Sequence, residues 1–189
     1  MTIAKDSKIA VAIAMLLLAF STPISMGQSS RERPEQIEQE LKNDIPHLIC
    51  LDPNVATAGQ PADNAYAKLA AKGYRTVLSL RTASEGPSVE REKELVEKSG
   101  MRYVNIPVVG SDPKPEQADA FIAVVKDQSN YPMLIHCGSA NRVGGFWMIY
   151  RVVVQGWPED KASEEATRIG LSSPVIKKFA TDYISSHKK

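Results

Sequence analysis

Pro132-Met133-Leu134-Ile135-His136-Cys137-Gly138-Ser139-Ala140-Asn141-Arg142-Val143-Gly144-Gly145 is the stretch on which the fold turns. Its first five residues form a short apolar run of buried-strand type. Residues 143–155 are strongly apolar over the length of a helix. Six small or polar residues stand between them, which predicts a direct strand-to-helix turn. Such a turn exposes backbone N–H groups at a helix N-terminus, where negative charge is favoured. Gly138, Ser139 and Ala140 are small enough to let the backbone approach a ligand closely. The thiolate, the reactive form of cysteine, is favoured at a helix terminus of this kind, and Cys137 occupies that place. Arg142 closes the loop with a planar fork able to hold two oxyanion oxygens at once. Taken singly, Cys137 reads as a buried structural cysteine and Arg142 as a helix-terminal arginine. Their coincidence at one strand-to-helix turn favours an oxyanion cradle made by residues 137–142.

The pattern on either side sets this loop in its architecture. Strands are expected at residues 47–51 and 55–58, around an Asp52-Pro53-Asn54 turn. Further strands are expected at 76–80, 102–106 and 132–136. Helices are expected at 63–72, closed by Gly73, and at 88–99, closed by Gly100. Another is expected at 115–127, with Phe121, Ile122, Val124 and Val125 on its apolar side, and two more at 160–169 and 174–186. Strands alternating with helices predict a single α/β domain with a mostly parallel sheet flanked by helices. Ligands of such sheets bind at the carboxyl ends of the strands. Two more loops reach that edge. One carries Arg81 and Glu85, which either line the site or pair on its rim. The other, Val109-Gly110-Ser111-Asp112-Pro113, carries Asp112, a candidate acid whose pattern also fits a helix cap or Asx-turn. Asp119 is a second candidate acid, expected inside the following helix. Trp157, beside Pro158, reads as a core or rim residue.

The bulk properties narrow the field. The chain has 189 residues, 43% of them hydrophobic, which suits one folded domain. A formal net charge of +1 argues against a nucleic-acid partner and leaves a small anionic substrate open. His47, His136 and His187 are scattered without metal-ligand spacing, so neither metal nor cofactor is expected. At the N-terminus, Lys5 and Lys8 precede an unbroken apolar run over residues 9–20, followed by Ser25-Met26-Gly27. This is the pattern of a signal peptide over residues 1–27, with export to the periplasm or beyond; an uncleaved anchor is the alternative. Residues 28–45 read as a polar linker with a short helix at 34–42, and residues 46–189 as the domain. In an oxidising compartment a Cys50–Cys137 disulfide would silence the thiol.

His136-Cys137-x4-Arg142-Val143-Gly144 resembles the phosphate-binding loop of the bacterial beta-lactamase-hydrolase-like phosphatases, relatives of the protein tyrosine and dual-specificity phosphatases. Gly59-Gln60-Pro61 and the run from Gly73 to Arg81 resemble the opening of the same family, so the likeness covers roughly residues 47–156. The resemblance implies a cysteine-dependent phosphatase acting on a phosphorylated protein or a small phosphate ester. Cys137 would attack phosphorus and carry a cysteinyl-phosphate. Arg142 and the N–H groups of Gly138, Ser139, Ala140 and Asn141 would hold the equatorial oxygens, with Arg81 nearby. Asp112 would protonate the leaving oxygen and then help activate water. Two positions depart from the family pattern: Ala140 stands where glycine is expected, and Val143 where a hydroxyl residue is usual. Two other readings remain. The six-residue loop is also similar to that of rhodanese-type sulfurtransferases, and a decayed loop would bind phosphate without hydrolysis.

Overall fold

The strand that feeds the loop lies in the middle of the sheet. A computed structural model describes residues 33–86 and 88–187; the expected signal peptide, residues 1–27, lies outside them. The five strands are β1 (Ile49–Asp52), β2 (Val55–Ala58), β3 (Thr76–Ser79), β4 (Arg102–Asn105) and β5 (Met133–His136). Their order across the sheet is β1-β2-β5-β3-β4. β1 is antiparallel to β2, and every other pairing is parallel, as the alternation of elements predicts. In register, Ala58, Ser79 and Asn105 align with His136, so β2, β3, β4 and β5 end at one edge.

Burial explains why β2, β3 and β5 are the inner strands, each buried at all four positions. Along β5, Met133 and Ile135 point into one core and Leu134 into the other, as the two-residue period of a pleated strand requires. Helices α1 (Pro34–Leu41), α2 (Ala65–Ala71) and α3 (Val89–Lys98) cover the Leu134 face. Ile37 and Leu41 of α1, and Ile45 beyond it, are buried there, so the polar N-terminal stretch contributes to packing. The opposite face carries α4 (Pro115–Lys126), α5 (Asn141–Ile149), α6 (Glu159–Ile169) and α7 (Pro174–His187). α5 is buried from Val143 to Ile149, and its Phe146, Trp147, Met148 and Ile149 each contribute on the order of 1.5–3 kcal/mol by burial.

Three element starts differ from the expectation by two residues, each for a local reason. β1 starts at Ile49 because His47 has φ 53°, outside strand geometry. α2 starts at Ala65, after a turn closed by the Ala65 N–H on the Ala62 carbonyl at 2.9 Å. The helix expected at 143–155 starts earlier, at Asn141, and widens into a π-helical turn over Tyr150–Val154. That turn accompanies Arg151, whose Nε donates to Glu165 at 2.6 Å and whose guanidinium lies 4.8 Å from the Trp147 ring and 4.1 Å from Trp157.

Gly144 lets α5 sit against the α6–α7 connection. A Cβ there would stand 2.7 Å from the Ala166 carbonyl oxygen and 3.0 Å from the Leu171 nitrogen. Both neighbours are backbone and cannot rotate aside. Gly144→Ala is therefore expected to destabilise the protein by about 2–3 kcal/mol. The urea midpoint should fall with an unchanged m-value; an unmoved midpoint would show that α6 yields at no cost.

Candidate active site

Cys137 follows β5 directly and is 1% exposed, packed with the core on the α5 side. Its N–H points to the Ala58 carbonyl at 3.4 Å, which continues the β2–β5 ladder one residue past the strand. Cys137 thus lies at the floor of the loop, at the carboxyl edge of the sheet. Gly138 and Ser139 above it are exposed. The segment Gly59-Gln60 lines the loop from β2: the Gln60 N–H donates to the Gly138 carbonyl at 3.2 Å, and Gly59 bridges Ser139. This gives the Gly59-Gln60-Pro61 run a structural task, to hold the outer wall of the loop.

Ala140 makes the turn into α5 with φ 63° and ψ −3°, a left-handed conformation. A non-glycine residue there carries roughly 1–2 kcal/mol of backbone strain. Its methyl is fully buried, which offsets part of that. Gly170, at φ 137°, packs beneath: a Cβ on it would stand 3.2 Å from the Ala140 Cβ and from the Ser139 carbonyl oxygen. Asn141 fastens the loop to the α6–α7 turn. Its Oδ1 accepts from the Ser173 N–H at 3.1 Å and the Ser172 N–H at 3.3 Å, and its Nδ2 donates to Ser172 Oγ at 2.9 Å. The side chain of Asn141 is therefore engaged in docking the loop.

Arg142 is held by the ends of β3 and β4. Nη1 donates to the Leu80 carbonyl at 3.0 Å, the Val108 carbonyl at 2.8 Å and Glu85 Oε1 at 2.6 Å, and Nη2 donates to Glu85 Oε2 at 2.5 Å. All four bonds use Nη1 and Nη2, so Nε is not committed to Glu85. The guanidinium leans over the loop, since a Cβ on Gly138 would stand 3.6 Å from Nη2. Burial alone would lower the Arg142 pKa, but the Glu85 bonds and the neighbouring Cys137 raise it. Glu85 shows the reciprocal effect. Burial would push its carboxyl up, and the bonds from Arg142 and Thr82 pull it down to about 2. At neutral pH the pair is a carboxylate gripping a guanidinium end-on, the strong bidentate geometry.

A cavity of about 430 Å³ opens above this pair. Arg142, Ser139 and Asn141 form its floor side, Thr82, Ser84 and Glu85 one wall, and Val109, Gly110, Ser173 and Ile176 the rest. Among the residues expected at the site, Ser139, Asn141 and Arg142 line this cavity, with Cys137, Gly138 and Ala140 in the loop that forms its floor. Asp112 is on the neighbouring loop, its side chain 66% exposed and bonded to Lys114 Nζ at 2.6 Å. The cavity wall takes Val109 and Gly110 from that loop. Asp119 is engaged elsewhere, accepting from the Tyr183 hydroxyl at 2.5 Å between α4 and α7. Arg81 lies behind the wall, 1% exposed, and its Nη2 donates to the Glu85 carbonyl. Cys50 and Cys137 are both free thiols, with Cys50 packed against the α1–α3 side of the sheet. Burial pushes the Cys50 thiol up to about 11.

One group was not singled out by the sequence reading. Glu92 is 3% exposed, on the buried stripe Val89, Glu92, Val96 of α3. A carboxylate in an apolar helical stripe was the available signal. It accepts from the Tyr66 hydroxyl at 2.5 Å, the Tyr103 hydroxyl at 2.7 Å and Gln60 Nε2 at 2.8 Å.

A buried thiol and a clamped arginine in one strand-to-helix loop, on this sheet order, define a domain of the protein tyrosine phosphatase-like class. A family model described as "DSP-PTPase phosphatase fused to NAD+ kinase" matches residues 50–178, and the chain belongs to that family. A beta-lactamase hydrolase-like protein of Xylella fastidiosa (strain Temecula1 / ATCC 700964) is 24% identical over 109 residues, 56% of this chain and 25% of its own. The dual specificity protein phosphatase TpbA of Pseudomonas aeruginosa (strain UCBPP-PA14) is 41% identical over 54 residues, 28% of this chain and 25% of its own. The chain thus spans about a quarter of the length of these curated relatives. A solved structure from Shewanella putrefaciens CN-32, classed among DUF442 phosphatases, superposes with a TM-score of 0.69 at 25% identity, covering 79% of this chain and 99% of that one.

Proposed function

We propose that the protein hydrolyses phosphate monoesters, of the protein tyrosine or dual-specificity kind, through a cysteinyl-phosphate on Cys137. The observation that carries this reading is the clamp on Arg142: Glu85, Leu80 and Val108 fix the guanidinium over the loop that Cys137 begins. In the first step the Cys137 sulfur bonds to phosphorus as the ester oxygen leaves with a proton from an acid. In the second, water attacks phosphorus, gives a proton to the same base, and the thiolate departs. Arg142 and the loop N–H groups stabilise the oxygens throughout. Family membership and the free state of both cysteines support the reading. The basic and apolar pattern of residues 1–27 supports export as part of the same proposal.

The test is hydrolysis of p-nitrophenyl phosphate by the reduced protein, with acid quench and mass spectrometry of the Cys137 peptide. Phosphate release with a phosphorylated Cys137 is the expected result. A persulfide formed from thiosulfate, with no phosphate release, would replace this reading with sulfur transfer.

Asp112 is the proposed acid, brought over the cavity by movement of the 109–113 loop. Asp112→Asn is expected to lower kcat by about 100-fold for an alkyl or phenyl phosphate. The loss should shrink for p-nitrophenyl phosphate, whose leaving group departs without a proton. Equal losses on both substrates would remove Asp112 from the acid role.

A further inference from the structure

The segment that follows β2 is seated between two carbonyl groups. The Gly59 N–H donates to the Pro46 carbonyl at 2.8 Å, and the Gln60 N–H, one residue on, donates to the Gly138 carbonyl at 3.2 Å. Gly59 and Ser139 stand opposite each other in an isolated antiparallel bridge. The segment is also fastened from behind. The Ala62 N–H donates to the Asp44 carbonyl at 2.8 Å, and the Asp44 carboxylate takes Asn64 Nδ2 at 2.8 Å and Lys68 Nζ at 2.6 Å. The connection between α1 and β1 therefore backs residues 59–62, and residues 59–60 in turn back the loop.

The bond on the Gly138 carbonyl also sets the direction of the next N–H. The Gly138–Ser139 peptide is trans, so its C=O and N–H point in opposite directions within one plane. With the carbonyl held by Gln60, the Ser139 N–H is turned away from the 59–60 segment. The bridge has the same polarity: hydrogen bonding is carried by the flanking Gln60 and Gly138, and a residue of a non-bonded pair aims its own N–H away from the facing strand. Among the described residues no acceptor meets the Ser139 N–H. Ser139 lines the cavity, and Gly138 faces the clamp, since a Cβ on it would stand 3.6 Å from Arg142 Nη2 and 3.5 Å from Glu85 Oε2.

Gly59 keeps this spacing tight. A Cβ on it would stand 3.2 Å from both the Pro46 and the Gly138 carbonyl oxygens, and 3.3 Å from Pro46 Cγ. One side would have to give way. Pro46 is tied by its ring and by the Gly59 N–H, whereas Gly138 is an exposed glycine, so the displacement falls on Gly138.

We propose that Gly59 is a positioning residue for the oxyanion cradle: its lack of a side chain lets Gln60 hold the Gly138 carbonyl outward, which aims the Ser139 N–H at the bound phosphate. This rests on the phosphatase reading for the ligand, and on the peptide plane for the direction.

The test is amide-proton NMR of the reduced protein titrated with inorganic phosphate, which reads each donor separately and needs no turnover. In the wild type the Ser139, Asn141 and Arg142 N–H resonances should all move downfield. In Gly59→Ala the Ser139 shift should fall by about half or more and phosphate affinity by about tenfold, less than the loss of a whole oxyanion donor. Asn141 and Arg142 should still shift, because the Asn141 side chain docks that end of the loop to Ser172 and Ser173 independently. A semisynthetic protein with an ester in place of the Gln60 amide removes the N–H and keeps every side chain. It should reproduce the selective loss at Ser139, and it decides the matter if Gly59→Ala does not fold. An undiminished Ser139 shift in either variant, or an equal loss at all three amides, would overturn the proposal. A wild-type protein that binds no phosphate would overturn the phosphatase reading, and this proposal with it.

Discussion

Cys137→Ser is expected to reduce hydrolysis of p-nitrophenyl phosphate by at least about 10⁴-fold, the order seen when a covalent nucleophile is removed. A serine hydroxyl is a far weaker nucleophile than a thiolate, and the neighbouring His136 is not placed to activate it, since it points into the opposite face, towards Glu92. Binding should survive, because the loop N–H groups and Arg142 are untouched. Inorganic phosphate affinity within a few-fold of wild type, alongside lost turnover, is the predicted split. Retained hydrolysis in this variant would mean that phosphorus never bonds to Cys137.

The second large effect belongs to Arg142. Arg142→Ala should lower kcat/KM by about 10³-fold, in the range for removal of a transition-state oxyanion donor or an arginine that meets a transferring phosphoryl group. Part of that loss comes from Glu85. Its carboxyl is held at about 2 by Arg142 and Thr82 against the opposing effect of burial. With the guanidinium gone, Glu85 remains as an uncompensated anion at the mouth of the cradle and repels the substrate. Arg142→Ala combined with Glu85→Gln should therefore bind phosphate more tightly than Arg142→Ala alone. Steady-state kinetics on the single and double variants check this, and a double variant no better than the single would show that the carboxylate turns away once released. The pairing also carries a pH signature. A carboxyl lowered from its ordinary value to about 2 adds stability that is present above about pH 4.5 and is lost as pH falls through about 2. Arg142→Ala should reduce that acid-range dependence to the part supplied by the Thr82 hydrogen bonds.

The strand-turn-helix around residues 132–145 was legible because both its neighbours are strongly periodic and the turn is short. The same reasoning placed Asp112 and Glu85 at the correct sheet edge, since parallel strands bring their carboxyl-terminal loops together. What it could not supply is the partner of each side chain. Arg142 and Glu85 are 57 residues apart, and no local pattern distinguishes a clamp from a rim pair. Glu92 of α3 and His136 of β5 meet between helix and sheet, far apart in the chain, and only the break in the apolar stripe of α3 hinted at the former. Asn141 enters that reading through its backbone N–H alone, and no local pattern announced that its side chain is spent on Ser172 and Ser173, 31 and 32 residues further on. The π-helical turn at Tyr150–Val154 had no signature of its own, because Arg151, Trp157 and Glu165 create its setting only in three dimensions.

The fastening of Asn141 to Ser172 and Ser173, with Gly170 pressed against Ala140, bears on modular transfer. A hexapeptide lifted from residues 137–142 into another scaffold would arrive without the surface that shapes it. The left-handed residue at its centre is supported by contacts from the connection between the last two helices, thirty residues downstream. A functional graft would have to carry the stretch through Ile176, and drift in that downstream connection would be constrained by the loop as tightly as any residue that touches substrate.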